Sequence, residues 1–467
     1  MGERDTRKNH RRLTMLRFFN LTITVLLFTG MLASCITPRR LYQTSPEVQS
    51  LMKAQTSYPE ARFIVFSDPH YFDPELGTSG TAFQAYLDKD RKLLAESSEL
   101  LTATIEEINK QPADFVLICG DLTKDGEKRN HLAVAENLAK IVKSGKAVFV
   151  IPGNHDVLNG ESIAFEGDQT RVVANVTADE FAEIYEDYGY AASLERDSES
   201  LSYLAEPVPG LWLLALDGSL WKSNQPGKHS KTGAAFNEQT LQWIENILIR
   251  AKREKKSVIV AIHHGVLEHY PANEEFYSQY LVDDFKKISE MLASYDVKLV
   301  FSGHFHAQDI TRKKFAETGK TIYDIETGSL VTSPCPYRIV DLTFDQKAVI
   351  QSRFIDAIPS HKDDFKTYRD QYVYEGTLKL AEAALKGYLV SEKDRKRVNP
   401  QVAKAYSIHL RGDEIRPEPA VNKDGLGLWG RIVLGIQGDL IKGWYTDLPP
   451  ADNQITIDLA NGEYKNN

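Results

Sequence analysis

The apolar positions of this chain fall into short, dense runs. Residues 63–66, 115–119, 147–151, 212–216, 258–262 and 299–302 are almost wholly apolar and rich in Val, Ile and Phe. Continuous runs this short predict strands buried on both faces, the pattern of a covered parallel sheet. Between them lie longer stretches where apolar residues recur three or four positions apart. Residues 91–110, 130–143, 237–252 and 282–294 are therefore expected to be amphipathic helices. Asn237 suits an N-cap, with Glu238 following in the first turn. Strands alternating with helices predict an α/β domain with largely buried sheets. Two further short strands are expected at residues 321–325 and 338–344.

Past residue 354 the rhythm changes. Residues 368–389 carry a helical apolar face of Leu378, Leu380, Ala381, Ala384 and Leu385, and Gly- and Pro-bearing segments follow without a βαβ pattern. The chain is read as an α/β domain over 61–355 and a smaller, helix-rich accessory domain over 356–467. That accessory segment is open to roles as a cap, a homodimer contact or a cell-wall binder.

The N-terminus departs from both patterns. Arg4, Arg7, Lys8, Arg11, Arg12 and Arg17 precede a mostly apolar stretch at 21–32. A membrane-spanning helix needs roughly 20 apolar residues, so this stretch suits a signal-peptide core instead. It ends in Leu32-Ala33-Ser34-Cys35, which resembles a bacterial lipobox. Residues 1–34 are expected to be a signal peptide, Cys35 a lipidation site, and 35–60 a polar tether. The folded part is then expected outside the cytoplasm, held to a membrane. The remaining cysteines, Cys119 and Cys335, make no disulfide framework. A net charge of -9 supplies no basic surplus for a nucleic-acid partner.

Candidate chemistry appears just after the strands. The first run leads into SDPH (Asp68, His70), the second into GD (Asp121), and the third into PGNHD (Asn154, His155, Asp156). The 258–262 run leads into His263 and His264, and the 299–302 run into GHFH (His304, His306). Ligands of α/β sheets bind beyond the carboxyl ends of strands. Residues two apart in extended backbone point the same way, so each D-x-H or H-x-H pair is expected to face one centre. Oxygen and imidazole donors without thiolate suit manganese, iron or zinc.

The series D-P-H, G-D, G-N-H-D, H-H, G-H-F-H resembles the calcineurin-like metallophosphoesterases over roughly residues 62–355. That resemblance implies a four-layer αββα sandwich and two transition-metal ions. Asp68, His70, Asp121 and His306 are implied for the first ion. Asp121, as a bridge, with Asn154, His263 and His304, is implied for the second. It implies hydrolysis of small phosphate esters by a hydroxide held between the ions. His155 would support the transition state or protonate the leaving group, with Asp156 orienting it. His263 is preferred over its neighbour as the ligand, leaving His264 for substrate contact or support. Segments 216–248 and 326–342 are similar to bacterial class III cyclic nucleotide phosphodiesterases, relatives of the purple acid phosphatases. Trp221, His229 and Tyr337 are candidates for a base-binding surface. Cyclic nucleotides are the expected substrates. Phosphomonoesters or nucleotides, a silent surface binding protein and a DNA nuclease are the alternatives.

Overall fold

A computed structural model describes residues 40–467. The expected signal peptide and Cys35 lie outside the described residues. Two short helices, Leu41–Thr44 and Pro46–Met52, stand where a turn-prone tether was expected.

Among the described residues, the strands form two seven-stranded sheets and a small two-stranded one. The first sheet runs, edge to edge, Tyr464–Asn466, Gln454–Asp458, Lys347–Phe354, Pro336–Leu342, Ala61–Phe66, Phe115–Ile118 and Ala147–Val150. Its last three strands are parallel and the others antiparallel. The second sheet runs Asp309–Lys314, Thr321–Glu326, Leu299–Ser302, Ser257–Ile262, Leu211–Leu216, Tyr203–Val208 and Glu195–Arg196. Its four central members are parallel and its edges antiparallel. Six of the seven parallel strands are the short apolar runs, because both of their faces are covered; the seventh is Thr321–Glu326.

The sheets pack face to face. Phe63 of the first stacks on Phe115 at 4.6 Å and meets Phe301 of the second edge-on at 5.3 Å. The Tyr203 hydroxyl crosses the interface to donate to the Val150 carbonyl at 2.9 Å. Helices Ser97–Asn109 and Lys128–Lys143 lie against the first sheet, and Glu238–Glu254 and Phe285–Ser294 against the second. Asn237 caps the third of these, accepting from the Thr240 amide at 2.8 Å. The result is the four-layer α/β arrangement.

The segment from residue 356 onward does not stand alone as a domain. It contributes helices Phe365–Gly387, Glu392–His409, Leu428–Ile436 and Gly438–Gly443, then returns to extend the first sheet. Ser50–Asn467 forms one compact unit. The edge strand Lys347–Phe354 offers unpaired backbone groups, and Gln454–Asp458 satisfies them while burying Ile455 and Ile457 at a two-residue period. A five-residue strand between Pro-rich and Gly-bearing stretches gave too short a pattern to read. The helices enclose a second core, in which Val398, Tyr406, Leu434 and Trp444 pack with Phe305.

Candidate metal centre

The residues that follow the strands do not continue them. Asp68, His70, Asp121, His304 and His306 all have positive φ, between 37° and 76°. Non-glycine residues seldom adopt this conformation, at a cost of about 1–3 kcal/mol each, and it clusters at functional sites. Each chain therefore turns sharply at its strand end rather than presenting alternate residues of an extended segment. The turns are held from outside: the His70 amide donates to the Asp121 carbonyl at 3.0 Å, and the His304 amide to Asp68 Oδ2 at 3.1 Å. Gly303 permits the approach, since a Cβ there would stand 2.0 Å from Ser67 Oγ.

These turns bring the side chains into two adjoining clusters. One contains Asp68, His70 and His306, the other Asp121, His263 and His304. In the first, His306 Nε2 lies 3.3 Å from Asp68 Oδ1 and 3.1 Å from His70 Nε2. In the second, His263 Nε2 lies 3.2 Å from Asp121 Oδ2. The same Asp121 oxygen is 3.6 Å from His70 Nε2, so it stands between the clusters. The two histidines of the GHFH motif thus fall in different clusters.

The donor set fits metal ions. Among the described residues, the buried atoms Asp68 Oδ1, Asn154 Oδ1, His263 Nε2 and His304 Nε2 have no hydrogen-bond partner. Unpaired buried polar atoms are costly, and each of these is a ligand-type donor. Donors about 3–3.5 Å apart are spaced as they would be around an ion about 2.0–2.2 Å from each. His263 Nδ1 donates to the Cys119 carbonyl at 2.6 Å, which leaves the Nε2 lone pair facing the cluster. Burial opposes charge on His263, but Asp121 and Asp68 outweigh it and pull its pKa up to about 10, so a proton and a metal cation compete for that lone pair. Burial likewise opposes ionisation of Asp121, yet the surrounding imidazoles hold it well below the ordinary carboxylate range. The site favours positive charge at its centre.

His155 stands beside the clusters with its ring half-buried, its Nε2 4.0 Å from Asp121 Oδ2. The carboxylate on its Nδ1 is Asp125, at 2.8 Å, and not the expected Asp156. Asp156 instead accepts from the amides of Leu122, Thr123 and Gly153 at 2.8–3.0 Å, tying the loops after two strands together. Asp125 is paired with the buried Lys124, which also reaches Glu127 at 3.1 Å. Burial works against the Asp125 carboxylate, but Lys124 and His155 hold it well below its usual range. His264 does not face the open pocket. Fully buried, it donates from Nε2 to the Thr232 carbonyl at 2.7 Å and packs 4.1 Å from the His304 ring.

A pocket of about 430 Å³ opens over the clusters, lined among others by Arg91, Lys92, Asn154, His155, Tyr280 and His304. Of the three residues expected to hold a base, only His229 lines it. Tyr337 is buried in its strand, and the Trp221 indole donates to Asp217 at 2.8 Å. Lys92, Arg91 and Tyr280 carried no motif and were not anticipated. Asp125 was not anticipated either: it lies four residues past Asp121 outside every motif, and only its contact with His155 singles it out.

Residues 61–308 match the sequence model of the calcineurin-like phosphoesterases. The chain is also 24% identical over 263 residues to the serine/threonine-protein phosphatase CPPED1 of Pongo abelii, covering 54% of this chain and 73% of that one. Among solved structures it is similar to a dimetal phosphatase from Danio rerio, with 17% identity, a TM-score of 0.45 and coverage of 64% and 97% of the two chains. The NAD nucleotidase of Haemophilus influenzae is similar at 12% identity and a TM-score of 0.34, covering 64% of this chain and 50% of its own. The family match spans most of the sandwich and contains every side chain of both clusters: the chain belongs to the calcineurin-like phosphoesterase family.

Proposed function

We propose that this chain is a metal-dependent phosphoester hydrolase. Asp68, His70, Asp121 and His306 would hold one ion, and Asp121, Asn154, His263 and His304 the other. The observation that carries this reading is the pair of buried clusters meeting at Asp121, with ligand-type atoms left unpaired. Mixed oxygen and imidazole donors suit manganese, iron or zinc. When bound, two such ions supply Lewis acidity, lowering the pKa of a shared water and offsetting phosphoryl charge.

The protein's own groups supply the rest. His155 donates its Nδ1–H to the Asp125 carboxylate, so Nε2 is the atom left to hold or pass a proton at the leaving oxygen. Asp125 fixes that ring, and Lys124 keeps Asp125 ionised. Lys92, whose ammonium is buried beside Asp90 at 3.4 Å, adds positive charge where phosphate oxygens would lie.

Within this chemistry, diesters are the finer reading, with cyclic nucleotides named by the similarity of segments 216–248 and 326–342. Monoesters are the second reading. Arg91 and Lys92 in the pocket wall favour a dianion over a monoanion. A phosphoprotein joins the panel through the name of the Pongo relative. We also propose that Cys35 is lipidated and ties the enzyme to a membrane outside the cytoplasm. No helix of the described residues is long and apolar enough to span one.

The test is a turnover panel with the manganese-loaded protein. It compares bis-p-nitrophenyl phosphate, p-nitrophenyl phosphate, 2′,3′- and 3′,5′-cyclic nucleotides and a phosphoserine peptide. Hydrolysis lost to a chelator and restored by metal is expected. No turnover of any ester, together with no bound transition metal, would return the chain to a binding role. For the anchor, Cys35→Ser should abolish fatty-acid labelling and release the protein from the membrane fraction; unchanged fractionation refutes the tether.

A further inference from the structure

The metal pocket has a neighbour of opposite character. Helices Phe365–Gly387, Glu392–His409, Leu428–Ile436 and Gly438–Gly443 enclose an apolar groove of about 370 Å³. Its wall is built by side chains such as Leu385, Val402, Val433, Leu440 and Trp444. Ala381 and Ala384, one turn apart on the first helix, also face it. Their small side chains leave open the space that larger residues would fill. A groove of this size equals about a dozen water volumes at about 30 Å³ each, within the range of ligand pockets.

The groove and the metal pocket are contiguous. Arg91 and Leu380 line both. At this junction the Arg91 guanidinium lies over the Tyr406 ring at 4.2 Å and donates to its hydroxyl at 2.6 Å. Gly376 lets the two segments approach there, since a Cβ would stand 2.9 Å from the Arg91 Cβ. A cation therefore separates a polar, metal-ligating chamber from an apolar one.

From this juxtaposition we infer that the substrate is an amphiphilic phosphate ester, with its phosphate at the metal clusters and an alkyl or acyl chain in the groove. The inference rests on the phosphoester-hydrolase reading and sets an alkyl or acyl ester in place of the cyclic nucleotide named within it. Arg91 meets the polar end at the throat, and the helical segment supplies the tail site. The helix Leu428–Ile436 is consistent with such a ligand. It turns Val433 and Leu434 into the groove, yet leaves Leu428, Trp429, Ile432 and Ile436 exposed on its other side. An apolar outer wall of this kind suits a molecule drawn from a lipid surface.

The chemistry to be measured is simple hydrolysis: water adds to phosphorus and the ester oxygen departs with a proton. Two series test it, alkyl phosphates followed by phosphate release and alkyl p-nitrophenyl diesters followed by nitrophenol release. Each runs from methyl through butyl to octyl. Full burial of a methylene changes binding about fourfold. The octyl ester of the series that the enzyme accepts should therefore exceed the methyl ester in kcat/KM by at least about tenfold, and should exceed cyclic nucleotides. Ala384→Phe, at the exposed rim of the groove, should flatten that rise while methyl-ester turnover stays unchanged. Ala381→Leu is the second variant. Calorimetry with octylphosphonate gives a reading independent of turnover: Ala384→Phe should weaken it about tenfold and leave methylphosphonate untouched. Phosphatidylcholine vesicles carrying phosphatidic acid separate the sources. Phosphate release from them, or choline or phosphocholine release where the diester series is the one accepted, assigns a membrane lipid, whereas octyl preference without either assigns a free amphiphile. Equal turnover of methyl and octyl esters, or a chain-length rise that survives both variants, overturns the inference and leaves the hydrolase reading standing. No turnover of any ester overturns both.

Discussion

Asp125→Asn isolates the role of the carboxylate that orients His155. The substitution keeps the shape of the side chain and removes its charge. Asp125 touches His155 Nδ1 at 2.8 Å and pairs with Lys124, and it belongs to neither metal cluster. A hydrogen bond involving charged groups contributes about 1.5–3 kcal/mol. At about 1.4 kcal/mol per tenfold, losing it from the transition state should slow kcat by about 10- to 150-fold. Stability should fall less than for an unpaired buried charge, because Lys124 keeps Glu127 at 3.1 Å. The assay is steady-state hydrolysis of the preferred ester by manganese-loaded enzyme, beside metal content and a melting curve. Lower kcat with unchanged KM and both ions retained is expected. Asp156→Asn provides the contrast: its carboxylate holds three backbone amides of the ligand-bearing loops, so it should lose metal and stability together. Wild-type kcat in Asp125→Asn, or a purely kinetic defect in Asp156→Asn, would show that the orienting carboxylate has been misassigned.

Three further outcomes are expected. Asn154→Ala and His263→Ala should each reduce binding of one ion by at least about tenfold and abolish most activity while far-ultraviolet dichroism is unchanged; full turnover in either variant contradicts the cluster assignment. Gly303→Ala should lose metal affinity without touching a ligand, because its Cβ would fall 2.4 Å from Asp68 Oδ2; wild-type metal content would show that this turn can relax. His131 is buried, and that burial pushes its pKa down to about 4. The unfolded imidazole, near 6.5, takes up protons first. The stabilisation is therefore present above about pH 6.5 and is lost as pH falls through 4, amounting to about 3 kcal/mol at most. Urea unfolding between pH 7 and 4.5 should show a shallower acid loss in His131→Gln, and identical slopes would refute it.

The places of the six apolar strands, their burial and the donor side chains that follow five of them were legible in the sequence, whereas strands such as Tyr203–Val208, Asp309–Lys314 and Lys347–Phe354 were not. Strand burial writes itself as a continuous apolar run, and the donor residues sit immediately after their runs, so both survive without knowledge of distant contacts. The same reading missed what depends on which segments meet. It expected extended backbone at Asp68–His70 and His304–His306, whereas contacts between loops hold those residues at positive φ. It named Asp156 as the partner of His155 and did not consider Asp125, because adjacency in sequence stood in for adjacency in space. It set residues 356–467 apart, although Gln454–Asp458 completes the edge of the first sheet. It offered Trp221 and Tyr337 as candidates for a base surface, and neither lines the pocket. Local pattern determines what each segment becomes because it depends on neighbours a few residues away. The partner of His155, the edge strand and the junction at Arg91 each depend on side chains from distant parts of the chain, and only packing brings those together.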